Sequence, residues 1–201
     1  MSPRPRAGGA GRVIAGSAKG RQLLAPGPAT RPLGDRLKEA LFAILEPVLR
    51  DGQFLDLYAG SGAAGIEALS RGASTAVFVE EDAAAARIIA ANLAATGLTD
   101  RATVVRADAT QWLDRQGGIA GPFAIVFADP PYREPDLLRT TLSVIETHEQ
   151  DRILADTGLL VLKHATKAAV PAGTALLTSV RERRFGETML TFYRWTDEVE
   201  A

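Results

Sequence analysis

Four short apolar runs, each carrying an acidic residue at or just past its end, constrain the fold of this chain more than any other feature. The runs are Gln53–Tyr58, Thr75–Val79, Thr103–Arg106 and Phe123–Ala128, and the acids are Asp56, Glu80, Asp108 and Asp129. Such runs read as strands, the first and the fourth of them buried. Segments of helical character lie between them, at 66–71, 83–96 and 110–116. Strand and helix in alternation predict an α/β fold. A fifth strand at 158–163 and a closing hairpin, Leu176–Arg181 with Thr188–Trp195 around Gly186, complete the sheet. Ahead of it Leu37, Ala40, Leu41, Ile44, Leu45 and Val48 recur at helical spacing, and Pro47 is expected to end or kink that helix. Open α/β sheets bind ligands beyond the carboxyl ends of their strands, which is where the four acids fall.

The fourth run leads directly into Asp129-Pro130-Pro131-Tyr132. Consecutive prolines fix φ and restrict the residues before them, so the Asp129 carboxylate and the Pro130 carbonyl form a stiff pair of acceptors. Two such acceptors suit the two hydrogens of an exocyclic amine on a flat heterocycle, and Tyr132 offers a ring on which the base can stack. The plainer alternative is a loop whose prolines only stop a strand.

The first run leads into Ala59-Gly60-Ser61-Gly62-Ala63-Ala64-Gly65. Glycines at 60, 62 and 65 permit a tight turn and a close ligand, and they also match a dinucleotide-binding fingerprint. A nicotinamide oxidoreductase is therefore one reading. Asp56 argues against it, because a carboxylate there repels a pyrophosphate and attracts an ammonium group. Glu80 ends its strand where a carboxylate can accept ribose hydroxyls. Asp108 is placed to accept an adenine amine, or simply to cap the helix that follows it. Glu81 or Asp82 reads as the start of the next helix.

The chain resembles the class I S-adenosylmethionine-dependent methyltransferases, and within them the RsmD family of 16S ribosomal RNA guanine-N2 methyltransferases. The likeness runs from about Arg12 to Trp195. It rests on Arg12-Val13-Ile14-Ala15-Gly16, Arg31-Pro32 with Asp35-Arg36 and Glu39-Ala40-Leu41-Phe42, and Asp56-Leu57-Tyr58-Ala59-Gly60-Ser61-Gly62. Gly65-Ile66-Glu67-Ala68-Leu69-Ser70-Arg71-Gly72 and Asp129-Pro130-Pro131-Tyr132 complete it. The resemblance implies a three-layer Rossmann-like fold whose seven-stranded, mostly parallel sheet has one antiparallel strand, with a short amino-terminal hairpin and helix added. It implies S-adenosyl-L-methionine held by Arg31, Asp56, Tyr58, Ala59, Gly60, Ser61, Gly62, Glu80, Asp108 and Ala109. Asp129, Pro130 and Tyr132 take catalytic roles, and the transfer is direct, with no general base required. Arg12, Lys19, Arg21, Arg36 and Pro131 face the nucleic acid. Two departures from the family pattern stand out: Leu33-Gly34 and Leu37-Lys38 in the Arg-Pro segment, and Lys163 where relatives carry an acid before His164. His164 itself reads as structural. The Asp-Pro-Pro-Tyr shelf would equally serve a DNA adenine-N6 methyltransferase, and a non-catalytic RNA-binding scaffold is a further alternative.

Composition narrows the classes. At 201 residues, with 46% hydrophobic and 23% charged, the chain suits one well-filled domain: a basic tail at 1–11, an extension at 12–50 and a catalytic core at 51–201. It has no cysteine and two histidines, which excludes disulfides and thiol catalysis and leaves no metal site expected. No apolar run approaches the ~20 residues of a membrane span, and the start lacks a signal peptide's apolar stretch. A cytoplasmic monomer is expected. The net charge of −1 is unevenly spread: residues 1–50 hold nine bases against three acids, while residues 51–201 are acidic. A basic front on an acidic body suits a protein that grips phosphate at one end and a small cation at the other. Arg181, Arg183 and Arg184 are either a second contact or an exposed turn.

Overall fold

The computed structural model describes residues 10–27, 33–116, 121–132, 134, 136–147 and 152–196. Arg31, Pro32, His148 and most of the basic tail lie outside the described residues. The elements run α1 (Asp35–Leu49), β1 (Gln53–Leu57), α2 (Ala63–Ser70), β2 (Thr75–Glu80), α3 (Ala83–Thr96), β3 (Ala102–Arg106) and α4 (Ala109–Gln116). β4 (Phe123–Ala128), α5 (Asp136–Thr147), β5 (Leu154–Ala165), β6 (Leu177–Phe185) and β7 (Thr188–Trp195) follow.

The seven strands form one sheet in the order β3-β2-β1-β4-β5-β7-β6. The first five are parallel to their neighbours, and β7 runs antiparallel to both β5 and β6. This is the expected topology. Its physical basis is visible in β4 and β5, where successive side chains supply opposite faces of the sheet. Ile125, Phe127, Leu159 and Val161 pack with α1, α2 and α3, whereas Val126, Ala128, Leu160 and Leu162 pack with α4 and α5. Both faces are covered, so both residue parities are apolar. Strand order reverses between β1 and β4, and this opens a crevice at their carboxyl ends.

Two boundaries differ from expectation. α1 continues through Pro47 to Leu49, although the proline lacks the N–H that would bond the carbonyl four residues back. β5 is longer than the apolar run suggested and begins at Leu154, its polar start pairing with β4 across a register shift.

The amino-terminal segment pairs with itself as expected. Val13 N donates to Arg21 O and Leu23 N to Gly11 O, and Arg12 and Gln22 form an antiparallel bridge. The hairpin is seated on α2 by polar side chains. Glu67, with 0% exposure, accepts from the backbone N–H groups of Ile14 (2.8 Å) and Ala15 (3.1 Å) and from Arg71 Nε (2.7 Å). Ser70 Oγ accepts from Ala18 N and donates to Ala15 O. Gly16 lies so close that a Cβ there would meet the Ser70 carbonyl at 1.8 Å. Lys38, also buried, donates to the Arg12 carbonyl. Glu67→Ala strands two backbone donors and a guanidinium, and the expected cost is about 3 kcal/mol of unfolding free energy. Urea unfolding of the variant beside Glu67→Gln, which keeps one acceptor, measures it; a cost below that of an ordinary surface substitution would show the hairpin is not held this way.

Candidate functional site

A cavity of about 690 Å³ opens at the carboxyl edge of the sheet, within the range of small-molecule sites. Asp56, Glu80, Asp108 and Asp129 all line it, together with Tyr58, Ala59, Gly60, Ser61, Ala109, Pro130, Pro131 and Tyr132. The cavity brings together the residues expected to be catalytic and, apart from Arg31 and Gly62, those expected to hold the cofactor, whereas Arg12, Lys19, Arg21 and Arg36 do not line it. Gly62 is an exception and does not line the cavity. Its φ of +74° and its bond to the Ala59 carbonyl (2.7 Å) shape the turn from behind, and a Cβ there would press on Ile89 and Phe78. Arg31 is outside the described residues. Lys19 and Arg21 are exposed on the hairpin and line no described cavity. Arg12 is exposed and bonds Asp35 at 3.2 Å.

Backbone donors organise the carboxylates. Asp56, 2% exposed, accepts from Gly65 N at 2.9 Å, taking an N–H in the first turn of α2. A pyrophosphate at that helix end would meet a carboxylate already in place. Gly65 also packs so tightly that a Cβ would strike the Phe78 ring at 2.3 Å, so its glycine serves helix–strand packing. Burial pushes the Asp56 carboxyl well above the usual range, and the neighbouring charges of Asp129 and Glu80 push it the same way. Glu80 accepts from Gly60 N (2.8 Å) and Asp82 N (2.9 Å), one to each oxygen, and so ties the glycine turn to β2. Asp82 caps α3, accepting from Ala84 N and Ala85 N.

Asp108 caps the helix that follows it and also lines the cavity. Its Oδ1 accepts from Gln111 N and Thr110 Oγ1. Those bonds hold its carboxyl below the usual value. Tyr58 sits at φ +57°, a conformation rare for a non-glycine residue, and its hydroxyl bonds Thr141 at 3.1 Å. Strain of this kind collects at functional sites. Among the described residues no cluster of His, Cys, Asp or Glu is arranged to hold a metal ion. A pocket walled by Asp56, Glu80, Glu81, Asp108, Asp129 and Glu134 suits an organic cation.

A second cavity, of about 520 Å³, adjoins the first and shares Tyr132 and Lys163 with it. Its other walls are Gly34, Asp35, Arg36 and Leu37 at the start of α1 and Arg184, Phe185, Gly186 and Thr188 at the β6–β7 turn. Arg36 therefore stands beside the shelf, joined by Arg184, one of the three arginines left open by the sequence. Tyr132 bonds Thr188 across the junction, hydroxyl to hydroxyl, at 3.1 Å.

Lys163 escaped the sequence reading as a site residue, yet its Nζ lies 2.7 Å from both oxygens of Asp129. The contact follows from strand register and not from any local pattern. β4 and β5 pair in parallel with Ala128 opposite Leu162, so the residues that follow, Asp129 and Lys163, are side by side. His164 points elsewhere, bonding Thr191 and the Ala165 carbonyl, and burial lowers its pKa so the ring stays neutral.

Comparison with known proteins agrees with this arrangement. Residues 11–194 match the family described as Conserved hypothetical protein 95. The chain is 38% identical over 201 residues to Ribosomal RNA small subunit methyltransferase D of Escherichia coli K12, covering 98% of each protein. It is 38% identical over 130 residues to the protein of the same name from Haemophilus influenzae, covering 64% of this chain and 67% of that one. The solved structure of a hypothetical protein from Thermus thermophilus superposes with a TM-score of 0.76 at 33% identity, covering 91% of this chain and 98% of that one. With the family match spanning the hairpin, the carboxylate-lined cavity and the Asp-Pro-Pro-Tyr shelf, this chain belongs to the RsmD family of methyltransferases.

Proposed function

We propose that this protein transfers a methyl group from S-adenosyl-L-methionine to the exocyclic N2 of a guanine in 16S ribosomal RNA of the small subunit. The observation that carries the reading is the meeting of two features in one cavity: the Asp129–Pro130 shelf with Tyr132, and the Gly60–Ser61 turn ringed by carboxylates.

The residues present fit the cofactor. S-adenosylmethionine bears a sulfonium, an ammonium and one carboxylate, and its net positive charge suits an acidic cavity. Asp56, Gly60 and Ser61 would hold the methionine portion, Glu80 the ribose, and Asp108 with Ala109 the adenine. The bound cofactor supplies a methyl group already activated by its cationic sulfur. The protein's own task is then to exclude water and align the entering nitrogen. Asp129 and the Pro130 carbonyl accept the amine's hydrogens, and Tyr132 stacks the base. The amine needs no prior deprotonation, since its proton becomes acidic as the new bond to carbon forms. A base in folded RNA has to leave its stack to reach the shelf. The groove holding Arg36 and Arg184 gives the flanking backbone a basic path. Residues 12–50 serve as the RNA-facing extension and 51–201 as the catalytic core.

Guanine and the small subunit come to this protein from its family likeness and from the names of its relatives. The test is to map methylated nucleosides in ribosomal RNA from cells with and without the gene. One N2-methylguanosine of the small-subunit RNA should disappear with the gene; an unchanged map, or loss of N6-methyladenine from DNA instead, contradicts the assignment.

A further inference from the structure

Lys163 ends the apolar run of β5 at the junction of the two cavities, 7% exposed, with its stem buried and its ammonium on Asp129. The same Nζ lies 5.1 Å from the centroid of the Tyr132 ring, within range of a cation–π contact. One cation thus touches both side chains of the shelf. A carboxylate at the end of a strand can turn about its side-chain bonds, but one held by both oxygens cannot. A carboxylate has roughly four lone-pair sites, so the ammonium leaves acceptor capacity on each oxygen.

The electrostatic setting gives the contact its purpose. Asp56, Glu80, Glu81, Asp108 and Glu134 share the cavity with Asp129, while Asp35, Arg36 and Arg184 stand in the adjoining groove. Among so many acids, a carboxyl without a cation takes up a proton readily. It then presents an O–H donor to an amine that is itself a donor, the wrong polarity for the shelf.

We propose that Lys163 is a positioning residue for methyl transfer: its ammonium clamps the Asp129 carboxylate in one plane and keeps it a pure acceptor, while its contact with Tyr132 sets the face on which the base stacks. The inference rests on the methyl-transfer reading. It adds a residue that the Asp-Pro-Pro-Tyr motif does not contain.

The pH dependence follows from the neighbours of Asp129. Burial raises its carboxyl pKa, and Lys163 opposes that rise by its charge and its hydrogen bonds. Without the cation the carboxyl titrates higher, and activity that depends on the ionised form is lost from the acid side upward. The experiment compares wild type, Lys163→Met, Lys163→Arg and Asp129→Ala as full chains. The probe is ribosomal RNA from cells lacking the gene, with labelled S-adenosylmethionine. Lys163→Met is expected to lose about a hundredfold in kcat, the scale of one preorganising group. It should keep its cofactor Kd within about twofold, and the acid limb of its kcat/KM profile should lie at higher pH than that of the wild type. Lys163→Arg should recover most of the loss and the wild-type profile. If Lys163→Met does not fold, Lys163→Gln provides the same comparison, an uncharged donor in place of the cation. A wild-type kcat in the uncharged variant, or a lowered kcat whose pH profile parallels the wild type, overturns the proposal. Asp129→Ala separates the two levels: its inactivity beside an unaffected Lys163→Met refutes the clamp alone, whereas wild-type turnover in Asp129→Ala refutes the shelf and the clamp together.

Discussion

Asp129→Ala is expected to lower methyl transfer by about a thousandfold or more while cofactor affinity changes only a few-fold. The substitution removes one of the two acceptors that receive the entering amine, leaving the Pro130 carbonyl alone. It also leaves the Lys163 ammonium buried without its partner, facing the position the base must occupy. Stranding one member of a buried ion pair costs about 3–5 kcal/mol, so a share of the effect will register as lowered stability. Asp129→Asn separates these contributions. It keeps one acceptor oxygen, adds a donor of the wrong polarity, and should retain the fold while losing most of the turnover. Single-turnover kinetics with excess enzyme gives the chemical step, and equilibrium binding of S-adenosylmethionine gives the affinity. Because Glu80 holds the glycine turn at Gly60 and Asp56 holds the start of α2 at Gly65, cofactor binding should survive both changes. Lost cofactor binding with retained turnover would reverse the assigned roles.

Asp56→Asn should move stability and binding in opposite directions. The Asp56 carboxyl is buried, and its pKa in the folded protein lies well above that of an unfolded chain. The sign follows from linkage. As pH rises past the unfolded value of about 4, the unfolded state gives up its proton first and gains stability relative to the fold. The folded protein therefore loses stability from there up through the folded pKa. Asparagine cannot ionise, and its Oδ1 can still accept from Gly65 N. The variant should gain stability over the wild type across that window, seen as a urea midpoint that rises relative to wild type as pH increases. Binding of a cation favours the ionised carboxylate, so wild-type affinity for S-adenosylmethionine should rise with pH over the same window. The variant should bind about 10–100-fold more weakly, the worth of one charge-assisted hydrogen bond, and without that pH dependence. A variant that binds as tightly as wild type would remove Asp56 from the cofactor site.

The strands and their parallel direction were legible because apolar runs alternate with helices, whereas their order in the sheet is seen only in the fold. Phe123–Ala128 has no polar residue to expose, and its neighbours repeat the pattern at the spacing of strand–helix–strand units. The acids at the run ends were legible for a related reason. A charge at the end of an apolar strand is expensive unless it faces an opening, so Asp56, Glu80, Asp108 and Asp129 marked the cavity before any coordinates did. Glu67 was read only as part of a family pattern. Its function as the dock for the hairpin depends on Ile14 and Ala15, more than fifty residues away, and no local rule connects them. Gly62 was assigned to the cavity by its place in a glycine series, but its left-handed turn faces Phe78 and Ile89.

The chain's own pattern thus settles the layer order, the parallel sheet and the edge at which the site forms, since these follow from periodicity and from the cost of burying charge. The pairing of Lys163 with Asp129, the joining of Arg36 to Arg184 across one groove, and the seat of the hairpin on Glu67 are decided in three dimensions. Each unites side chains from separate elements, and their distance depends on strand register and helix packing rather than on any property of the residues taken singly.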